Sequence, residues 1–139
     1  MSNETDELKE TTRTKLDQVS RALLHLHKSL LDDERVIYET VHGPVASAHE
    51  MFHLVINHPQ FTWLGKISSL IALLDEAMSR RRPATETTAQ GLLTEAVTLL
   101  KLASADETFV ERLQRVLKRS AAARANYDEA LKIATAESE

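Results

Sequence analysis

Two histidines and a glutamate form the string of this chain that is most suggestive of chemistry. His49, Glu50 and His53 spell H-E-x-x-H. Residues four apart share one face of a helix, so the two imidazoles can bind a zinc ion while the glutamate acts as a general base. One interpretation is therefore a zinc hydrolase. It needs a third protein ligand, and the candidate is Glu76, whose position on its own helix points away from the apolar stripe.

The same string also fits a helix start. Ser47-Ala48-His49-Glu50 matches S-x-x-E, the capping box, in which Glu50 satisfies the backbone amide of Ser47 and cannot easily serve as a base. At ~100° per residue, His49, Glu50 and His53 fall on a polar arc with Asn57. The opposite arc is apolar and consists of Met51, Phe52, Leu54, Val55 and Ile56. We therefore expect this helix to bury the apolar arc and to leave His49 and His53 in solvent without a metal or a catalytic role.

All six histidines, at positions 25, 27, 42, 49, 53 and 58, lie in one quarter of the chain. Such clustering suggests a metal site. Glu39–His42 and Glu50–His53 also have the E-x-x-H spacing of di-iron bundles. However, these pairs fall at the end of one helix and the start of the next, and interior glutamates on other helices are not evident. The sequence thus predicts no cofactor, with zinc or iron in the His25–His58 cluster as an alternative.

Polar residues interrupt the apolar stripes of the first and last helices. They are His27, Glu34 and Tyr38 on the first helix and Ser120 and Arg124 on the last. A carboxylate that faces a core is costly unless it is paired. Arg124 is the predicted partner of Glu34, with Arg35 as second choice. The group His27, Glu34, Tyr38 and Arg124 is either a structural ion pair that sets helix register or a small polar ligand pocket.

The amino-acid composition limits the classes of protein to which this chain can belong. The chain has 139 residues with three glycines, three prolines and no cysteine, and the good helix formers dominate. Disulfides and thiolate sites are therefore excluded, and we expect one helical domain over 1–139 with frayed ends near 1–5 and 135–139. The net charge of −4 argues against nucleic-acid binding. The acidic start and the short apolar runs predict a cytoplasmic protein that does not bind a membrane.

Apolar spacing predicts the helices. Helix one covers about 6–41, helix two 47–57, and helix three 61–81; helix four starts near Thr85. A long helix five starts at a capping box formed by Ser104 and Glu107 and extends to about Ala134. Nothing reads as a strand. The fold expected is all-α, an antiparallel four-helix bundle with long first and last helices and a short additional helix near 47–57. Overhanging ends of the long helices would pair with a second copy, so a homodimer is expected.

Several short motifs resemble one protein family. They are Leu26 to Leu31, Glu34-Arg35, Tyr38-Glu39, Gly43-Pro44-Val45, His58-Pro59, Phe61 to Leu64, Ser69-Leu70-Ile71 and Asp75-Glu76. Over residues 25–78 the chain is similar to a family of small all-helical bacterial proteins of unknown function. The resemblance implies a bacterial cytoplasmic protein and no assigned activity. The pair His49–His53 departs from the family pattern, which weakens the metal interpretation.

The sequence therefore favours a non-enzymatic protein-interaction or self-association module with an unknown protein partner. The alternative is a bundle that binds a metal or a small ligand, through the histidine cluster or through the interior group His27/Glu34/Arg124. The H-E-x-x-H zinc hydrolase comes last.

Overall fold

The computed structural model of the protein describes residues 6–137. Over those residues the chain is helical and contains no strand, so the all-α prediction is confirmed. The helices are α1 (Glu10–His42), α2 (Ala48–Asn57), α3 (Pro59–Thr62), α4 (Gly65–Ala77), α5 (Glu86–Leu100), α6 (Glu107–Arg119) and α7 (Ala121–Thr135). The predicted fraying of residues 1–5, and of the last two residues, lies outside the described part.

Side-chain caps set several helix starts. Ser47 caps α2 by accepting the amide of Glu50 at 3.1 Å, and Thr85 caps α5 by accepting the amide of Thr88 at 3.1 Å. Both starts were predicted. The start of α6 differs by two residues, because Asp106 rather than Ser104 accepts the amide of Phe109, at 3.1 Å. An aspartate in the N-cap position supplies the same acceptor as a serine, with a charge that suits the helix dipole.

The predicted long last helix is wrong, because it is divided at Ser120. This residue has extended backbone angles, φ −120° and ψ 112°, and its Oγ accepts the amide of Ala123 at 3.1 Å. The apolar spacing continues through the break, from Val116 to Ala123, which is why the sequence suggested one helix. Serine stabilises a new helix start by capping it, so the chain can turn here.

The predicted helix three is also divided. A four-residue helix, α3, begins at Pro59 and is capped by His58, whose Nδ1 accepts the amide of Gln60 at 3.1 Å. The longer helix α4 then ends at Ala77, earlier than the predicted Arg81. The arginines 80–82 therefore lie in the connection to α5, where Pro83 disfavours helical angles in the residue before it.

Two neighbours run antiparallel to α1. Ser20 donates to Asp75 near the end of α4 at 2.6 Å, while Glu34, farther along α1, accepts from Trp63 just before α4 starts. Against α7, Lys15 donates to the carbonyl of Ala136, and the carbonyl of His25 accepts from Asn126 at 3.4 Å. Glu86, at the start of α5, accepts from Thr12 at 2.6 Å, so α5 begins beside the start of α1.

The core is built from the apolar stripe of α1 and the stripes that face it. Leu16, Leu23, Leu26 and Leu30 are fully buried and join one cluster of apolar side chains. The other helices add Ile67, Leu74, Ala96, Leu100, Phe109, Leu113, Val116, Ala123 and Tyr127. Helix α2 adds none, since no residue of it is buried.

Among residues 6–137, no helix combines the length and the apolar character needed to cross a membrane.

Candidate functional site

Glu34 is the one carboxylate that the core encloses among the described residues, with 3% of its surface exposed. Its Oε2 accepts from the indole Nε1 of Trp63 at 2.9 Å, and its Oε1 accepts from Nε2 of Gln60 at 3.1 Å. The same Gln60 amide also reaches the Glu34 carbonyl at 3.2 Å. Both carboxylate oxygens therefore have donors from the chain around α3, which satisfies a group that would otherwise be costly to bury.

The positive charges near Glu34 come from α6. Arg112 lies 3.8 Å from Oε2, and Arg119 lies 3.5 Å from Oε1 and bonds the neighbouring Asp33 at 2.7 Å. The predicted pairing with Arg124 is wrong. That residue pairs with the exposed Asp128 at 3.3 Å on its own helix.

The second predicted partner is wrong as well, because Arg35 pairs with Glu39 at 3.3 Å. The register of α7 on α1 explains why Arg124 is not the partner, since the bond from Asn126 to the carbonyl of His25 places Arg124 more than one helical turn away from Glu34 along α1. The carboxylate thus ties α1, α3 and α6 together. With every acceptor used by the protein itself, this arrangement is structural rather than a ligand pocket.

The sequence contains a pattern that relates to the two arginines near Glu34. Arg112 and Arg119 are seven residues apart, which places them on one face of α6, and Asp33-Glu34 is an adjacent acidic pair. The spacing shows that the arginines act together but not which helix they face.

The remaining members of the predicted interior group are separated. His27 is half-buried, and its Nε2 is buried without a hydrogen-bond partner. Burial lowers the pKa of His27 below its ordinary value, because the charged imidazole loses its hydration. Tyr38 belongs to a separate aromatic group, in which its ring stacks on His42 at 4.4 Å and meets His58 edge-on at 5.2 Å. The structure therefore does not bring His27, Glu34, Tyr38 and Arg124 into one pocket.

The predicted capping box at the start of α2 is confirmed in one of its two hydrogen bonds. The backbone amide of Glu50 donates to Oγ of Ser47 at 3.1 Å. The Oε1 atom of Glu50 accepts the amide of Ala46 at 2.9 Å instead of the predicted amide of Ser47. A carboxylate held by the backbone in this way is not positioned as a general base for a water molecule on His49 and His53.

The exposed side of α2 is the second feature of interest. His49, Phe52, His53 and Ile56 are all exposed and occur at spacings of three and four residues, so they form one stripe, named here the α2 stripe. The exposed fractions of Phe52 and Ile56 are 62% and 53%.

The exposure of this stripe contradicts part of the helical-wheel prediction for α2. The prediction that His49 and His53 face solvent is confirmed, but the apolar arc is not buried. Three of its members, Met51, Leu54 and Val55, are half-buried on the inward side, while Phe52 and Ile56 lie beside the histidines. The helix packs mainly on the short α3, which is too small to cover it.

The two imidazoles of the stripe are neighbours, with ring centroids 4.6 Å apart. Three or more His, Cys, Asp or Glu side chains placed to share one metal ion are not found within the described range. Glu76 is exposed on α4 and Glu39 accepts the amide of Val45 at 2.9 Å, so neither completes a site with this pair.

A groove of about 630 Å³ lies between α4 and α5. Its apolar side includes Leu73, Ala77, Ala84 and Leu92, and its polar side includes Glu76, Ser79, Arg81, Arg82 and Thr88. Neither Arg81 nor Arg82 makes an ion pair with the residues that the structure describes, whereas Arg80 pairs with Glu10 at 3.0 Å.

Comparisons with protein-family models, with curated proteins and with solved structures give no match for this chain. The bacterial family suggested by the motifs over 25–78 therefore stays a prediction.

Proposed function

We propose that this protein is a non-enzymatic helical interaction module that self-associates through the α2 stripe. The observation that carries the proposal is the exposure of Phe52 and Ile56 on a helix with no buried residue. Apolar surface gains about 25 cal/mol per Å² when it leaves water, so two large apolar side chains on one helix face favour a covering partner.

The charge distribution of α2 favours a second copy of the chain as the partner. The only formal charge of α2 at neutral pH is Glu50, whose carboxylate accepts a backbone amide at the base of the helix. The α2 stripe itself carries none when its imidazoles are neutral. Two copies therefore meet without like-charge repulsion, while a strongly charged partner would find no opposite charge on the stripe.

The size of the helix sets the strength of this contact. Ten residues of α2 extend over about 15 Å. A two-fold pairing of such short helices buries less than the roughly 800 Å² per partner of a stable interface. We therefore expect a reversible dimer that dissociates in the micromolar range.

We also propose that α1, α4, α5 and α7 form an antiparallel four-helix bundle, with α2 and α3 at one end. The bonds from Ser20 to Asp75 and from Asn126 to His25 support opposite directions for α1 with α4 and with α7. The contacts of α5 with α1, α4 and α7 support its place as the fourth helix.

Sedimentation across micromolar concentrations tests the self-association. Wild type should shift from monomer to dimer, and Phe52→Asp should weaken the dimer at least about tenfold, which corresponds to ~1.4 kcal/mol. The matched control is Leu24→Asp, because Leu24 on α1 is 53% exposed and lies outside the stripe. A wild-type mass that stays monomeric at every concentration, or an equal effect of the control, would contradict the proposal.

A second candidate function, binding of a small anionic amphiphile, rests on the α4–α5 groove. Its volume of about 630 Å³ is within the range of small-molecule sites. Arg81 and Arg82 would hold a carboxylate head group while Leu73 and Leu92 contact its chain.

Calorimetry with decanoate below its micelle concentration tests this second candidate. Decanoate should bind, and the Arg81→Gln/Arg82→Gln variant should lose at least about tenfold in affinity. Arg80→Gln is the control, because Arg80 pairs with Glu10 outside the groove. Equal binding of the uncharged decanol would contradict the role of the arginines.

A further inference from the structure

We infer that His49 and His53 are half of a zinc site that a second copy of the chain completes. The inference rests on the proposed self-association through the α2 stripe. It specifies what the two histidines do in that contact and which ion they bind.

The geometry of one copy suits two of the four ligands of a zinc ion. His49 and His53 are exposed, lie one helical turn apart and have ring centroids 4.6 Å apart. Side-chain rotation is therefore enough to direct one nitrogen of each ring at a common point about 2.0–2.1 Å away, the usual zinc–imidazole distance.

One copy does not supply the rest of the coordination sphere. In the portion of the chain described, no third His, Cys, Asp or Glu joins the pair. Glu50, the nearest carboxylate in sequence, is held by the amide of Ala46 at 2.9 Å. Two imidazoles alone leave half of a tetrahedral zinc site to be filled.

A two-fold axis supplies the missing ligands. When the same patch meets itself, each residue near the axis is repeated, so the pair becomes four imidazoles. Phe52 and Ile56 lie on the same stripe, three residues from His49 and from His53, and would exclude water on either side of the ion. Because four protein ligands leave no open position, such a site is structural and not hydrolytic.

The position of His49 and His53 near the start of α2 also affects how favourably a positive ion binds there. His49 is in the first turn of α2, where the helix dipole disfavours a cation. The carboxylate of Glu50 is in the same turn and offsets part of that effect. Neutral imidazoles bring no further charge to the interface, so the zinc ion does not meet a second cation there.

The test measures the monomer–dimer equilibrium of untagged protein by sedimentation, with EDTA, with zinc chloride and with magnesium chloride. Zinc should tighten the dimer at least tenfold relative to EDTA and should bind at one ion per two chains. Magnesium should have no effect, because it prefers oxygen ligands. In the variant His49→Ala/His53→Ala the zinc effect should disappear, so that its dimer dissociates at the same concentration in zinc as in EDTA. His25→Ala, which removes an exposed histidine outside the stripe, should respond to zinc like wild type.

The outcomes separate this inference from the proposed function. A dimer in EDTA that zinc does not tighten overturns the zinc site and leaves self-association standing. Monomer in EDTA and dimer in zinc supports the zinc site and shows that the apolar stripe alone is insufficient. Zinc bound at one ion per monomer, or a loss of the zinc effect in His25→Ala, also overturns the inference.

Discussion

Helices α1 and α2 both place apolar side chains three and four residues apart, but the apolar side chains of the two helices lie in opposite environments. The stripe of α1 from Leu16 to Leu30 is fully buried, and α1 packs against α4, α5 and α7. In α2 the inward residues are half-buried, and Phe52 and Ile56 face outward. An amphipathic pattern thus shows that a helix has a face suited to burial, but other elements decide whether that face is covered.

The same contrast holds for the polar groups of the two regions. Glu34 is enclosed and depends on Trp63, Gln60 and two arginines, whereas Glu50 at the start of α2 needs only the backbone beside it. Substitutions in matched pairs, one in each region, can therefore confirm or contradict the difference.

The largest difference is expected between two apolar truncations. Leu26→Ala should lower the free energy of unfolding by about 3 kcal/mol, because it leaves a cavity in a fully buried site. Phe52→Ala should change it by about 0.5 kcal/mol or less at monomer concentrations. Urea unfolding at low protein concentration measures both. A similar loss for the two variants would mean that α2 is covered in the monomer.

The next difference concerns the two carboxylates. Glu34→Ala should cost about 2 kcal/mol, since it removes the acceptor of the buried Trp63 indole and leaves Arg119 without that partner. Glu50→Ala should cost about 0.5 kcal/mol or less, as its partner amide is exposed. Urea unfolding followed by tryptophan fluorescence reports on both. An equally small loss for Glu34→Ala would show that its bonds do not stabilise the fold.

Two helix caps provide a smaller contrast. Ser120→Ala should cost about 1 kcal/mol of global stability, because it removes the cap of α7, a helix packed on α1. Ser47→Ala should instead leave global unfolding almost unchanged and speed hydrogen exchange in the amides of α2. Hydrogen exchange resolved along the chain tests this. Uniformly faster exchange in Ser47→Ala would show that α2 unfolds only together with the core.

The smallest expected effect depends on pH. Burial lowers the pKa of His27 below its ordinary value of 6.5. The unfolded chain therefore binds a proton more readily than the folded chain, so stability falls as pH decreases from about 6.5 toward the lowered pKa and is unaffected above that range. Urea midpoints for His27→Leu should lose part of this acid slope, whereas His53→Leu should keep it. An unchanged slope in His27→Leu would contradict a buried neutral imidazole.

Local chemistry accounts for what could be predicted about the fold. The helix starts at Ser47 and Thr85 were predictable because a cap bonds an amide three residues away. The apolar stripe of α1 was predictable because its spacing repeats over many turns. The division at Ser120 was not, since the apolar spacing continues across it and a serine within a helical pattern does not by itself mark a new helix start.

The candidate site divides in the same way. Sequence alone determined that His49 and His53 share an exposed face and that Glu50 serves the helix start, because these relations lie within one or two helical turns. Only the tertiary structure decided that Glu34 meets Trp63 and Arg119 instead of Arg124, and that Phe52 and Ile56 are exposed. Such relations depend on which helix lies opposite and at what register, and the spacing within a single helix does not encode either.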